Sequence, residues 1–401
     1  MDILKLVVTF TCIVVIMRLG KPLYISIVGG MLAVIILYLI NPITSVQMIV
    51  KGATSTPTIN MVLAFYSITF LQRMMEKRGH LLLAEKSLSN LFNSRRVNAM
   101  VAPFVIGLLP SAGAVLIASP IVDNAGGESL TREEKTFVTS YFRHISEAFL
   151  PTYSSIILAL NLSGVDMTAF VVAMLPMVAV LFLLGYFRYV RKIPKGTGVA
   201  IDSDKSSDTK NLVISLWPIV LTIAIILIFK PAVHLAVIPV ILLSVIVNRF
   251  TFSELKPMFV SAIERKLIFT TILIMSFKEL ITYTGVIERL PGYFNSFPIP
   301  SPVIFAMIFF FGTLVAGSQA IIALTMPLAF ASVAGGGVAL MVLLMCMTYI
   351  AMQVSPTHIC LAIVTEDFGT SFIALVRHTI PILISFVVIS SLYSYGLFFL
   401  Q

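Results

Sequence analysis

Small polar side chains beside proline or glycine interrupt the apolar segments of this sequence at four places. The four stretches are Pro110-Ser111-Ala112-Gly113, Pro151-Thr152-Tyr153-Ser154, Gly317-Ser318-Gln319 and Ser355-Pro356-Thr357-His358. Proline removes a backbone donor and glycine loosens the backbone, so a helix is expected to open at each stretch. Opened N-terminal helix ends favour anions, and C-terminal ends with free carbonyls favour cations such as Na⁺. The pattern therefore predicts a binding site for a small anion inside a membrane.

Two sets of residues follow from this prediction. The residues expected to line the binding site are small, hydroxylic or hydrogen-bonding: Ser111, Ala112, Gly113, Thr152, Ser154, Ser318, Gln319, Ser355, Thr357 and His358. The candidates for ion coupling lie beside the breaks or carry intramembrane charge: Pro110, His144, Glu147, Gly317, Glu279 and Arg377. A charged group within a membrane span costs about 2.5–3.5 kcal/mol on insertion scales, so a compensating role is expected. For Arg143, a structural ion pair is an equal alternative.

Neither a metal centre nor a resident cofactor is predicted, apart from Na⁺ as a coupling ion. His144 and Glu147 form a single His-x-x-Glu pair, which is common by chance. The three cysteines lie in apolar segments and are interpreted as small hydrophobic residues: Cys12, Cys346 and Cys360. The sequence contains no evident nucleophile–base pair and no nucleotide-binding loop, so an intramembrane enzyme is the weakest alternative.

Composition places the chain among membrane proteins. Of its 401 residues, 58% are hydrophobic and 11% are charged, and its mean hydropathy is +1.03. A crossing needs about 20 apolar residues, so the length allows about ten crossings and two shorter hairpins. The net charge of +9 comes from basic residues clustered in short loops, as in a multi-pass membrane protein, and indicates no nucleic-acid partner.

The elements that must position these residues occur twice. Each half is expected to contain a re-entrant hairpin (97–122 and 302–331) followed by a broken helix (132–162 and 337–365). The halves are offset by about 205–207 residues, which predicts two repeats at 1–191 and 211–401, joined by a hydrophilic linker at 192–210. Residues 41–57 are expected to form a loop, because they contain two prolines and several Ser and Thr residues.

Loop charges set the predicted orientation. With the N-terminus outside, most basic clusters fall on the cytoplasmic side, which satisfies the positive-inside rule. The two hairpins then enter from opposite faces, so the repeats are inverted. Residues 1–19 lack a small-residue cleavage site and are expected to remain as the first helix in the cytoplasmic membrane.

At its breaks the sequence resembles the ion-transporter superfamily of secondary carriers, which includes citrate, dicarboxylate, gluconate and arsenite carriers. The stretch 109–113 is similar to the first hairpin signature of that group, and 355–361 followed by 366–368 is similar to a prokaryotic family known as a domain of unknown function. The resemblance implies an all-α fold of two inverted repeats with about five transmembrane helices each. It also implies a homodimer with a scaffold part and a moving part.

These observations predict a secondary active transporter of a small, carboxylate-like anion. Alternating access of the elevator type would be coupled to Na⁺ or H⁺, as symport or antiport. A channel-like pore for a small anion is the main alternative. The substrate and the direction of transport are left open by the sequence.

Overall fold

A computed structural model describes residues 2–91, 94–108, 114–195, 205–294, 298–356 and 358–400. Over these ranges the chain forms twenty α-helices and no β-strand. The helices of the first half are α1 Asp2–Arg18, α2 Leu23–Leu37, α3 Pro42–Thr54, α4 Thr56–Lys77, α5 His80–Leu91, α6 Arg95–Ile106, α7 Ala114–Gly126, α8 Arg132–His144, α9 Ser154–Ser163 and α10 Met167–Arg188. Those of the second half are α11 Lys205–Phe229, α12 Val233–Val247, α13 Phe252–Ser261, α14 Arg265–Tyr283, α15 Val286–Phe294, α16 Ser301–Ala316, α17 Ser318–Ser332, α18 Gly337–Met352, α19 Ile359–Asp367 and α20 Phe372–Phe398.

Two regions differ from the sequence prediction. The expected loop 41–57 contains helix α3, because the Asn41 side chain accepts from the backbone N–H of Ile43 and Pro42 occupies the first turn. Proline at that position loses no helical hydrogen bond, so it starts a helix as readily as it ends one. Helix α11 begins at Lys205, inside the range predicted as the linker.

Element boundaries recur at a constant spacing. Helix α9 begins at Ser154 and α19 at Ile359, 205 residues later. The next helices are capped at the same interval, by the side chains of Asp166 and Ser371, each of which accepts a backbone hydrogen bond three residues on. Equal spacing of both a restart and a cap shows that the two halves share local architecture around the breaks.

The helices pack in two groups. The frame helices, α1–α4 and α11–α14, contact one another, with α14 against α2, α3 and α4. The core helices, α6–α10 and α16–α20, form the second group, in which α18 packs against α16 and α20. Helix α18 is apolar on all sides and buried from Ala339 to Ala351, as expected for the central helix of a bundle.

Within the part of the chain that the structure describes, three helices are long and apolar enough to cross a membrane: Met167–Arg188, Lys205–Phe229 and Phe372–Phe398. Large apolar side chains also face outward on several helices, for example Ile36, Ile246 and Leu392, which are 67%, 74% and 66% exposed. So much exposed apolar surface needs a lipid environment to cover it. The chain is therefore an all-helical membrane protein.

Candidate functional site

The first broken helix opens between α8 and α9. A capping box between Thr131 and Glu134 starts α8, which ends at His144 and continues as a 3₁₀ turn at Ile145–Ala148. Non-helical backbone follows until α9 begins at Ser154. The break thus begins several residues before Pro151, at the point where the tighter 3₁₀ turn replaces the α-helix.

Two further breaks lie in the second half. Helix α16 ends at Ala316, and Gly317 has a φ of +83°, a conformation that glycine adopts most readily, before α17 begins at Ser318. Helix α18 ends at Met352, and α19 restarts at Ile359. The tip of the first hairpin, 109–113, lies outside the described residues, although its arms α6 and α7 pack against each other.

The first broken helix is attached to the first hairpin through Gly107. The hydroxyls of Ser146 and Tyr153 both donate to the Gly107 carbonyl, the former at 2.6 Å. A Cβ at position 107 would lie 2.1 Å from the backbone oxygen of Arg143, so only glycine allows this approach. Hairpin arm and broken helix are therefore in backbone contact just before the hairpin tip.

Three further polar contacts join the breaks to one another. Gln319 Nε2 donates to Ser154 Oγ at 2.7 Å, which links the second hairpin to the first broken helix. Ser355 Oγ donates to the carbonyl of Leu314 at 3.3 Å. The Nε2 atoms of His144 and His358 lie 2.9 Å apart, which links the two broken helices. The described parts of all four interrupted elements thus meet in one region.

A buried ion pair lies beside this junction. Arg143 Nη1 donates to Glu147 Oε1 one helical turn away, and the two side chains are 2% and 11% exposed. A buried charge requires such a partner, since its desolvation is otherwise uncompensated. The sequence left Arg143 open between a structural and a functional role, and the structure gives it a structural partner.

Two cavities flank the junction. The larger, about 410 Å³, is lined by core residues including Arg143, Glu147, Thr152 and Ser154, and by frame residues of α4 and α14. The smaller, about 260 Å³, is lined by Gly317–Ala320, Ser355 and His358 together with Met17 and Leu23 of the frame. Gln319 lines the smaller cavity and Ser154 the larger, so their hydrogen bond lies between the two cavities.

Both cavities contain buried hydroxyls that have no hydrogen-bond partner among the described residues. These are Thr152 Oγ1 in the larger cavity and Thr313 Oγ1 in the smaller one. Most buried polar atoms in proteins are paired, so each unpaired hydroxyl is available to a solute or water.

Three helix N-termini open at the junction. Helices α9, α17 and α19 follow Tyr153, Gly317 and His358, and none of these cap residues accepts a side-chain capping hydrogen bond in the described structure. The first-turn N–H groups of such helices and their partial positive charge attract anions. All three termini line a cavity: α9 lines the larger one, α17 the smaller one, and α19 both, through its cap residue His358 and through Cys360.

Some predicted residues lie elsewhere. Glu279 pairs with Lys51 of α3, and Arg377 is exposed on α20; neither is among the residues lining the two cavities. Six of the ten residues predicted to line the binding site lie at the junction or its cavities: Thr152, Ser154, Ser318, Gln319, Ser355 and His358. Five predicted positions lie outside the described residues: Pro110, Ser111, Ala112, Gly113 and Thr357. His144, Glu147 and Gly317, proposed for coupling, lie at the junction.

Three residues of this region were missed by sequence reasoning. Gly107 and Tyr153 carry the contact between hairpin and broken helix, and Cys360 lines the larger cavity beside Arg143. Tyr153 lies within a stretch that the sequence singled out, but its hydroxyl partner is 46 residues away. Only the position of Cys360 two residues after His358 could have indicated its location.

A family model matches residues 3–397 and so covers nearly the whole chain. The chain belongs to DUF401, a family of proteins of unknown function. No curated protein matches it. Among solved structures, this DUF401 protein is similar to the YdaH transporter of Alcanivorax borkumensis, whose crystal structure is described as having an unusual topology. The TM-score is 0.63 at 12% identity, over 89% of this chain and 88% of that one, which shows a shared fold. Membership of the ion-transporter superfamily stays a prediction.

Proposed function

We propose that this protein is a secondary active transporter of a small, carboxylate-like anion across the cytoplasmic membrane. The observation that carries the proposal is the junction, where three uncapped helix N-termini and two cavities meet at the interrupted core helices. In hydrocarbon, open backbone of this kind is tolerated only where protein or a water-filled cavity covers it. The likeness in fold to a transporter supports the same reading.

An anion is favoured by the charges and donors around the larger cavity. Its wall contains the N-terminus of α9 at Ser154 and the hydroxyl of Thr152, which has no hydrogen-bond partner among the described residues. Arg143 also reaches this wall, with its charge balanced by Glu147. A carboxylate could accept from the helix N–H groups and from the hydroxyls without adding a fixed buried charge.

Alternating access is supported by the position of the cavities between the two helix groups. Frame residues from α4 and α14 close one side of the larger cavity, and frame residues Met17 and Leu23 close the smaller one. If the core moved against the frame, the site would pass from one side of the membrane to the other, which is elevator-type transport. The 205-residue spacing of the helix restarts supports the proposed repeats, and the loop charges support their inversion.

Coupling to Na⁺ or H⁺ is part of the proposal. The C-terminal ends of α16 and α18 present backbone carbonyls near the smaller cavity, and carbonyls are suitable ligands for Na⁺. His144 and Glu147 are the candidates for carrying protons, and His358 is the candidate for contact with substrate or proton. Either ion would cross the membrane in the same direction as the anion, as in symport, or in the opposite direction, as in antiport.

The test is uptake of radiolabelled mono- and dicarboxylates by purified protein in liposomes, with a Na⁺ gradient or a pH gradient imposed separately. Saturable uptake of at least one anion, accelerated by one gradient, is expected. Flux that does not saturate would indicate a channel-like pore instead. Uptake indifferent to both gradients would contradict the coupling, and absence of flux for all anions would contradict the proposed substrate class.

A further inference from the structure

Two imidazoles and a thiol meet where the broken helices cross. The ligand atoms of His144, His358 and Cys360 all lie within 4.8 Å of one another. His144 is the last residue of α8, while His358 and Cys360 begin α19 on the other half of the chain. His144 and Cys360 are buried, and His358 is partly exposed to the smaller cavity.

The ring of His144 is oriented for a ligand. Its Nδ1 lies 2.6 Å from the backbone carbonyl oxygen of Ser140, and a carbonyl can only accept, so Nδ1 carries the proton. Nε2 therefore presents a lone pair, and it is this atom that faces Nε2 of His358 at 2.9 Å. Donation of the other ring N–H to a backbone carbonyl is the usual support for a metal-bound histidine.

We propose that His144, His358 and Cys360 bind one transition-metal ion of the Zn²⁺ type between the two broken helices. Imidazole and thiolate are the ligands that such borderline ions prefer, with Zn–N near 2.0–2.1 Å and Zn–S near 2.3 Å. Two nitrogens on one tetrahedral zinc lie roughly 3.3 Å apart at those bond lengths. The two imidazoles need to separate by only a few tenths of an ångström to admit the ion.

Protons balance in this binding step. The Cys360 thiol loses one proton to water as the S–Zn bond forms, because the thiolate is the ligand. Without the ion, His358 donates its Nε2 proton to Nε2 of His144. When the ion binds, the proton of His358 moves from Nε2 to Nδ1 of the same ring. The His358 imidazole therefore stays neutral, and its Nε2 becomes free to bind the ion. Arg143 and Glu147 next to the site cancel each other's charge, so the ion meets no net local repulsion. A water from either cavity can supply the fourth ligand.

The experiment is a Co²⁺ titration of purified full-length protein that carries an affinity tag without histidine. One Co²⁺ per chain, with a thiolate-to-cobalt charge-transfer band that excess Zn²⁺ removes, is expected. Cys360→Ser should abolish the band and weaken Zn²⁺ binding at least about tenfold, the size of effect seen even for outer-shell changes. Cys346→Ser is the matched control, because Cys346 is equally buried but contacts Met174 instead.

His358→Gln provides a second variant at a partly exposed position, so it perturbs packing less than a change at His144. It should also weaken Zn²⁺ binding at least about tenfold and reduce the rise in melting temperature that Zn²⁺ gives the wild type. The proposal is overturned if the wild type binds no stoichiometric Co²⁺. It is equally overturned if Cys360→Ser or His358→Gln binds metal as the wild type does.

Discussion

The two broken helices restart at matching positions but differ in chemistry. Before the first restart, the chain places Arg143, His144 and Glu147 within one helical turn and a 3₁₀ turn. Before the second restart, α18 is apolar and buried along almost its whole length. The shared spacing therefore determines where the helices open, whereas the buried ion pair that lines the larger cavity, Arg143 with Glu147, belongs to the first break.

Their attachments differ as well. Two hydroxyls, from Ser146 and Tyr153, hold the first break on the Gly107 carbonyl. A 3.3 Å hydrogen bond from Ser355 joins the second break to the carbonyl of Leu314. The first attachment also brings two backbones together at Gly107, so substitutions at the two attachments should have unequal effects.

The largest effect is expected from removal of the first break's anionic partner. Glu147→Ala leaves Arg143 buried without its counter-charge, which should destabilise the fold by about 3–5 kcal/mol. Thermal unfolding in detergent measures this as a large fall in melting temperature. Glu279→Ala is the control, because its partner Lys51 is 65% exposed and the pair should contribute about 0–1 kcal/mol. Equal losses in the two variants would contradict the assigned burial.

A smaller effect should separate the two attachments. Gly107→Ala forces a methyl group against the backbone of Arg143 and should cost about 1–3 kcal/mol, as overpacking does. Ser355→Ala removes the hydrogen bond to the Leu314 carbonyl, and a lost hydrogen bond of this kind should cost about 0.5–1.5 kcal/mol. Gly396→Ala, where the new methyl group meets no neighbouring element within 4 Å and alanine is the better helix former, should not destabilise the protein. A larger loss of stability in Ser355→Ala than in Gly107→Ala would contradict the proposed difference between the two attachments.

The smallest effect concerns the frame, outside both breaks. Hydrogen bonding from Arg78 lowers the pKa of Glu254 to about 2, below its unfolded value of about 4.3. A lowered folded pKa gives stability that is present above pH 4.3 and is lost as the pH falls toward 2. The melting temperatures of wild type and Glu254→Gln should therefore converge over that range. A constant difference between them at every pH would contradict the ionised pair.

Proline, glycine and spacing were enough to predict where the second-half breaks lie. The sequence placed the second hairpin at 302–331, and the structure has helices Ser301–Ala316 and Ser318–Ser332 on either side of Gly317. Such breaks are local properties of the backbone, which is why one stretch of sequence can reveal them. The predicted repeats, their inversion and the role of the lining residues stay predictions.

Partners across the fold could not be predicted. His144 and His358 are 214 positions apart, and the sequence around either histidine gives no indication that the two are in contact. Likewise, Glu279 is a carboxylate within an apolar helix, as expected of a coupling residue, but it pairs with Lys51. That contact depends on how α3 packs against α14. Helix α3 lies where the sequence predicts a loop, because Ser, Thr and Pro are equally compatible with a capped helix start.

The central claim is that the opened helix ends at the junction bind the transported anion, and bulky substitution there tests it most directly. Ser154→Trp would fill the larger cavity and Ser318→Trp the smaller one, while Leu392→Trp, at an outward position that is 66% exposed, is the matched control. Anion uptake into liposomes should be abolished in the first two variants and retained in the third, with all three folded and inserted. Full uptake by both Ser154→Trp and Ser318→Trp would contradict the claim.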